Sequence, residues 1–306
     1  MESVAIVGTG LVGRAWAMVF ARAGWAVRLW DPVPGASDHA LALCRTGLED
    51  LAARGLCGDA PAARARISVH TTLEEALEGV ALVQESGPER LEVKVALFRD
   101  LDRIAAPGIP LASSTSALRC SLWSEELPGR ARCLVGHPVN PPHLVPLVEL
   151  SGAPWTDPAV VARCHAIYAA IGQSPITLRR EVDGFVLNRL QAALLAEAFR
   201  LVSEGTVSPA DLDLTLTRGL GLRWAFMGPF ETIELNAPGG IPDYVSRFRG
   251  FLELIPRDPA RPEVFGDDAV ARIMAEWTPA PETEAKMRWR DRRLAALRVH
   301  LDTPPE

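Results

Sequence analysis

The sequence predicts an α/β domain, built on a mostly parallel, doubly wound sheet, followed by an all-α domain. Three observations carry this. Short apolar runs at 4–7, 27–30, 81–83, 109–112 and 133–135 alternate with helix-like stretches, which is how a parallel sheet with crossover helices reads. The first run leads directly into a glycine-rich turn, Gly8-Thr9-Gly10-Leu11-Val12-Gly13, and then into an alanine-rich stretch. After Asp183-Gly184 the strand-like runs stop and helical periodicity takes over, so the boundary is placed near residue 182, giving domains 1–182 and 183–306.

In chain order, the first strand ends at Gly8, which permits a tight turn; Gly10 lets backbone amides approach a pyrophosphate, and Gly13 lets the following helix close on the strand. The second run ends in Asp31, an acid about 20 residues further on, where a ribose-binding carboxylate belongs. Strand, glycine turn, helix and acid together make a Rossmann dinucleotide fingerprint. Gly8, Gly10, Leu11, Val12, Gly13 and Asp31 are the expected contacts. Asp31 would accept from the adenosine ribose and repel a 2′-phosphate, so the cofactor is expected to be NAD rather than NADP. Arg28 alternates to the other face of its strand. Helices are expected over 35–56, 73–77 and 89–104, the last with Leu91, Val95 and Leu101 on one face. In the second domain one long apolar helix is expected over 185–202. Another starts at Ser208-Pro209-Ala210-Asp211, with an N-cap serine and proline in the first turn, and further helical patterns cover 241–254 and 269–300.

At 306 residues the chain is long enough for two domains, and its 48% hydrophobic content with mean hydropathy +0.09 describes an ordinary globule. A net charge of −6 argues against a nucleic-acid or anionic-membrane partner. No run approaches the ~20 apolar residues of a membrane span, and the N-terminus enters the first strand without a signal peptide, so a cytoplasmic location is expected. The cysteines Cys44, Cys57, Cys120, Cys133 and Cys164 are scattered without C-x-x-C spacing, which suits reduced core thiols and no metal. Arg288, Arg290, Arg292 and Arg293 alternate with acids and read as a solvated helical face.

The segment Val135-Gly136-His137-Pro138-Val139-Asn140-Pro141-Pro142 sets an imidazole at the end of an apolar run, and Glu149 follows twelve residues later within Leu147-Val148-Glu149-Leu150. A buried histidine facing a buried carboxylate makes a general base, because the carboxylate fixes the tautomer and stabilises the imidazolium. Such a pair alone more often serves structure; a hydride acceptor upstream changes the balance.

With the N-terminal fingerprint, Ser113-Ser114-Thr115-Ser116, the His137 segment, Glu149 and Gly184-Phe185-Val186-Leu187-Asn188-Arg189-Leu190 in this order, the chain resembles the 3-hydroxyacyl-CoA dehydrogenase family over most of its length. Gly221-Leu222-Arg223-Trp224-Ala225-Phe226-Met227-Gly228-Pro229-Phe230-Glu231 and Ser208-Pro209-Ala210-Asp211-Leu212-Asp213 look most like the branch containing L-gulonate 3-dehydrogenase (lambda-crystallin). The resemblance implies hydride transfer from C3 of a 3-hydroxy acid to NAD. His137 would remove the hydroxyl proton, Glu149 would hold His137, and Ser116 and Asn188 would hydrogen-bond the reacting oxygen. It also implies that Glu89, Lys94, Ser116 and Asn140 contact the cofactor. The bland alternatives are a helix-start acid for Glu89, an exposed lysine for Lys94, a strand-end cap for Ser116 and an interface polar residue for Asn188. Two departures stand out: Ser114 replaces the family's usual asparagine, and Gly87-Pro88 replaces bulkier apolar residues.

Arg223 bears on the substrate. A guanidinium can meet a carboxylate in two parallel hydrogen bonds, whereas a thioester offers no charge, so a small free 3-hydroxy acid, L-gulonate-like, is the expected substrate. The other reading of Arg223 is a brace within the helical domain or at the dimer contact. The alternative activity is a 3-hydroxyacyl-CoA dehydrogenase of fatty-acid or butyrate metabolism, and the alternative class is a non-catalytic, NAD-binding structural protein. The apolar length of 185–202 suggests a homodimer.

Overall fold

The computed structural model describes residues 1–278 and 283–303. The chain begins with β1 (Ser3–Val7), α1 (Leu11–Arg22), β2 (Ala26–Trp30), α2 (Ala36–Ala52) and α3 (Ala60–Ala65). It continues through β3 (Ile67–Val69), α4 (Leu73–Leu77), β4 (Leu82–Glu85), α5 (Leu91–Ile104), β5 (Leu111–Ser113) and α6 (Cys120–Ser124). Then come β6 (Cys133–Pro138), β7 (Leu147–Gly152), α7 (Pro158–Ala170), β8 (Ser174–Thr177) and α8 (Leu187–Ser203). These strands form one 8-stranded sheet in the order β3-β2-β1-β4-β5-β6-β7-β8. All neighbours run parallel except β6 and β7, which are antiparallel. The strand order reverses between β1 and β4, and the crevice at the carboxyl ends of those strands is where such sheets take a nucleotide.

Alternation along each strand feeds two cores. Val4 and Ile6 join Trp16, Phe20, Leu48 and Tyr168 on one face, while Ala5 and Val7 join Phe98, Leu101 and Trp123 on the other. A sheet covered on both faces needs near-continuous apolar strands, which is why these runs were legible. All the cysteines are free and buried. Burial pushes the thiols of Cys44, Cys120 and Cys164 up to about 12, so they behave as packing groups rather than nucleophiles.

Three strands escape the sequence reading. β3 is three residues long, β7 carries a glutamate at its centre, and β8 (SPIT) is an edge strand with a proline and mostly polar residues. The helix expected over 35–56 ends at Ala52, and α3 follows it as a separate short helix capped by Asp59. The helix expected from 185 starts at Leu187, because Phe185 has a left-handed backbone.

By itself the second unit, Asn188–Lys286, holds only helices among its described residues. They include α9 (Pro209–Thr215), started by Ser208 as expected, a π-helical turn over Leu216–Leu220, and α10 (Gly221–Trp224). α11 (Pro229–Leu235), α12 (Gly240–Leu254) and α13 (Asp267–Glu276) follow. The stretch expected as one helix over 269–300 is two, since α13 ends where Trp277 turns extended and α14 (Thr283–Asp302) begins anew; residues 279–282 lie outside the described ones. From Met287 onward the chain groups with the first unit, so the block 183–306 gives up its last helix. The reason is packing: Ala295 is buried in the first core and Arg298 Nη2 donates to the Gly172 carbonyl at 2.9 Å. Among the described residues no helix is long and apolar enough to cross a membrane.

Candidate active site

His137 lies on β6 and Glu149 on β7, and the antiparallel register sets them directly opposite one another. Cys133 and Val135 face the same core as Phe98, so two-residue alternation sends His137 to that face too; Val148 and Leu150 face the other core, so Glu149 turns toward His137. Nδ1 of His137 is 2.8 Å from Glu149 Oε2. Both are buried, 4% and 0% exposed. Glu149 Oε1 accepts from the backbone amides of Val186 and Leu187 at 2.9 and 3.0 Å, which makes the carboxylate the N-terminal cap of α8. Burial alone would push the Glu149 carboxyl up; hydrogen bonds from His137, Leu187 and Val186 outweigh it and hold it below its ordinary value. A carboxylate so held accepts the Nδ1 proton, leaving Nε2 of His137 as the basic nitrogen.

The loop after β1 fits a dinucleotide. Gly8 has φ +90°, and a Cβ there would lie 2.8 Å from the Ser86 and Gly87 backbone, so the β1 and β4 loops touch. A Cβ on Gly10 would enter open space at the N-terminus of α1, which has no side-chain cap and no acid in its first turn. That is a cradle for an anion, with Leu11 and Val12 opening the helix. A Cβ on Gly13 would meet the Gly8 carbonyl at 1.9 Å. Asp31, at the tip of β2, is adjacent: Oδ2 accepts from the Thr9 amide at 2.8 Å and its hydroxyl at 3.1 Å. The residues therefore fit NAD, with Gly8, Gly10 and Gly13 shaping the phosphate turn and Asp31 beside the ribose position. Gly13→Ala is expected to displace this turn, at about 1–3 kcal/mol of stability and with at least about a tenfold loss of NADH affinity by fluorescence titration. Unchanged NADH affinity would show that the turn is not the phosphate cradle.

The other predicted cofactor residues are placed differently. Lys94 is neither exposed nor on the loop surface. It is 1% exposed, its Nζ 2.6 Å from Glu85 Oε2 and 3.1 Å from Ser113 Oγ. Glu89 Oε1 gathers the hydroxyl of Thr115 and the amides of Ser116 and Ala117, the latter two at 3.2 and 3.0 Å. Glu89 thus ties Ser116's turn to the β4 loop. Ser116 and Asn140 are both exposed, on the turns that follow β5 and β6. Asn188 and Arg223 belong to the second unit. Asn188 is in the first turn of α8. Arg223 is on α10, straight after the π-helical turn, with an exposed side chain.

Sequence reasoning passed over Glu85, Gln84, Ser113 and Tyr168. At the carboxyl ends of β4 and β5, alternation sends Glu85 and Ser113 to one face and Gln84 and Ser114 to the other. Glu85 Oε1 accepts from the Gly87 amide at 2.7 Å, so the buried Glu85–Lys94 pair holds the loop that touches Gly8. Ser114, in place of the family's asparagine, receives hydrogen bonds from Trp16 Nε1 at 3.1 Å and Gln84 Nε2 at 2.7 Å, while Gln84 Oε1 takes the Tyr168 hydroxyl. A charged residue closing an apolar central strand was the available signal for Glu85. Two cavities of about 510 and 520 Å³ beside Gly152 and Ala153 contain none of the predicted site residues.

Residues 3–182 match the family model for the 3-hydroxyacyl-CoA dehydrogenase NAD binding domain, and residues 184–255 match that for the 3-hydroxyacyl-CoA dehydrogenase C-terminal domain. The chain is 44% identical over 309 residues to lambda-crystallin from Oryctolagus cuniculus, covering 97% of each chain. It is 42% identical over 249 residues to L-carnitine dehydrogenase from Streptomyces griseus, covering 81% of this chain and 74% of that one. Among solved structures, an NAD+ dependent dismutase, 5-formyl-3-hydroxy-2-methylpyridine 4-carboxylic acid 5-dehydrogenase, is 28% identical with a TM-score of 0.86 over 100% of both chains. The cofactor is NAD. With a glycine turn shaped for that cofactor and these matches running from end to end, the chain belongs to the 3-hydroxyacyl-CoA dehydrogenase family of NAD-dependent oxidoreductases.

Proposed function

We propose that this enzyme oxidises the C3 hydroxyl of a small free 3-hydroxy acid, L-gulonate-like, to the 3-keto acid. The observation that carries the reading is the buried His137–Glu149 pair, closed at 2.8 Å. Glu149 holds Nδ1 and balances the imidazolium, and Nε2 takes the hydroxyl proton. Ser116 and Asn188 hydrogen-bond the reacting oxygen, where negative charge gathers. Bound NAD supplies the hydride acceptor. Asp31 holds its ribose, Glu89 and Lys94 are further cofactor contacts, and Asn140 lies near its nicotinamide side.

A free carboxylate as the far end of the substrate rests on Arg223 and on two relatives. L-carnitine is itself a small 3-hydroxy acid, and the dismutase is named for a carboxylic acid substrate. Charge-assisted hydrogen bonds contribute about 1.5–3 kcal/mol each once a bound substrate covers the guanidinium, which is exposed in the free chain. Arg223→Ala is therefore expected to raise KM for carboxylate substrates by about tenfold or more, with kcat little changed, in an assay of NADH absorbance. An unchanged KM for every carboxylate removes Arg223 from the substrate site. The deciding screen spans gulonate, carnitine, 3-hydroxybutyrate and 3-hydroxybutyryl-CoA. Turnover confined to the thioester, with acetoacetyl-CoA reduced by NADH, favours the second reading, a 3-hydroxyacyl-CoA dehydrogenase, which the descriptions of both family models support.

The second unit is proposed as the substrate and dimerisation domain. Phe226, Phe230, Leu235 and Phe251 are 62–73% exposed on it, more apolar surface than a small helical unit ordinarily leaves in water. Light scattering is expected to return a homodimer; a particle of 33.1 kDa, the mass of one chain, overturns this.

A further inference from the structure

Among the described residues, Phe185 is the one non-glycine residue with a positive φ, 50°. In that conformation Cβ crowds the backbone carbonyl, and a bulky side chain adopts it only where its surroundings enforce it. A glycine would take the same turn without strain, and the chain uses one immediately before, Gly184 at φ 75°. The Phe185 ring is 0% exposed and its centre is 5.2 Å from that of the His137 imidazole, tilted by 39°. Its own amide donates to the Val182 carbonyl at 3.1 Å, closing a turn. The next two residues, Val186 and Leu187, are the pair whose amides reach Glu149 Oε1. One residue thus touches both members of the dyad, His137 through its ring and Glu149 through the backbone it redirects.

We propose that Phe185 is a positioning residue of the proton-transfer pair: its left-handed turn aims the Val186 and Leu187 amides at Glu149, and its ring packs beside the His137 imidazole. The division of labour follows from the carboxylate's geometry. Oε2 is spent on His137, so Glu149 stays fixed only if Oε1 is held as well, and the amides that hold it open a helix whose dipole favours a negative charge. His137 is the titratable group that acts on Glu149. An apolar ring against the imidazole keeps water out and strengthens the hydrogen bond beside it. Strain at such a residue is tolerated where it pre-organises a site. This inference rests on His137 and Glu149 being the proton-transfer pair, and goes beyond it in naming what holds them.

The test uses the full-length protein and reads His137 directly, through the pH-dependent NMR shift of its Cε1–H, alongside kcat as a function of pH. Phe185→Gly keeps the turn and removes the ring; Phe185→Leu keeps apolar volume in the same place. In Phe185→Gly, water reaches the pair, and the pH profile of kcat is expected to shift by about half a pH unit or more. kcat is expected to fall about 10- to 100-fold, while KM for NAD stays within about twofold. Phe185→Leu is expected to recover part of both effects, and it carries the same test should Phe185→Gly lose its fold by circular dichroism. A folded variant whose His137 midpoint and kcat match the wild type overturns the inference, and so does a loss shared equally between kcat and KM for NAD. If the wild type turns over no hydroxy acid while the His137 midpoint still moves in Phe185→Gly, the substrate reading fails and the positioning inference stands.

Discussion

Replacing His137 with glutamine is expected to lower kcat by about 10²- to 10⁴-fold while leaving NAD affinity as it was. Glutamine can still donate a hydrogen bond toward Glu149 Oε2, 2.8 Å from Nδ1 in the native pair, so the buried carboxylate keeps a partner and the local packing survives. What it lacks is a nitrogen that can take a proton. His137→Ala is a poorer probe, since it also leaves a buried acceptor unpaired at about 1–3 kcal/mol, and lost stability would then be confused with lost chemistry. Single-turnover NADH formation with the best substrate of the panel measures the effect, and an NADH titration checks the cofactor site. If His137→Gln retains even a tenth of the wild-type rate, proton removal at His137 is not the step that limits the reaction, and another group must be sought.

Lys94→Met is expected to be the most destabilising single change in the first unit, at about 3–5 kcal/mol in a urea titration. The ammonium is 2.6 Å from Glu85 Oε2, and both side chains are 1% exposed. Removing it leaves Glu85 with the Ser113 hydroxyl and the Gly87 amide as partners, too little to offset a buried carboxylate. Replacing both charges, in Glu85→Leu with Lys94→Met, is expected to recover most of the loss, because the cost lies in the unpaired charge rather than in the missing pair. The same pair holds the 86–89 loop against Gly8, so NADH affinity is expected to weaken along with stability. The opposite pattern, native stability with weakened NADH binding, would make Lys94 a direct cofactor contact, as the family resemblance implies.

The two halves of the site were unequally legible. The cofactor end could be read because its signals are local: a turn that demands glycine at 8 and 13, and an acid at the end of the next strand, are fixed by residues close in sequence. His137 and Glu149 could be singled out as residue types, but their pairing depended on β7, a strand that the sequence concealed behind a central glutamate. Lys94 was read as a cofactor contact from the family resemblance, with an exposed lysine as the alternative; only the opposing Glu85, on a strand nine residues earlier, shows where its charge goes. Phe185 was read as the first residue of a helix, since apolar periodicity cannot reveal a positive φ.

The α/β order of the first unit, the helical character of the second, the NAD fingerprint and the residue types available for proton transfer can all be read from the chain's local pattern. Each follows from local spacing or from the two-residue and 3.6-residue periods that burial imposes. Which side chains meet was set by tertiary packing. It set His137 opposite Glu149 through strand register, gave Glu149 two further donors from residues 186 and 187, enclosed Lys94 with Glu85, and returned the last helix to the first unit. Those meetings join residues 9 to 126 positions apart, and a contact at such separation is settled by the packing of whole elements, which no local pattern encodes.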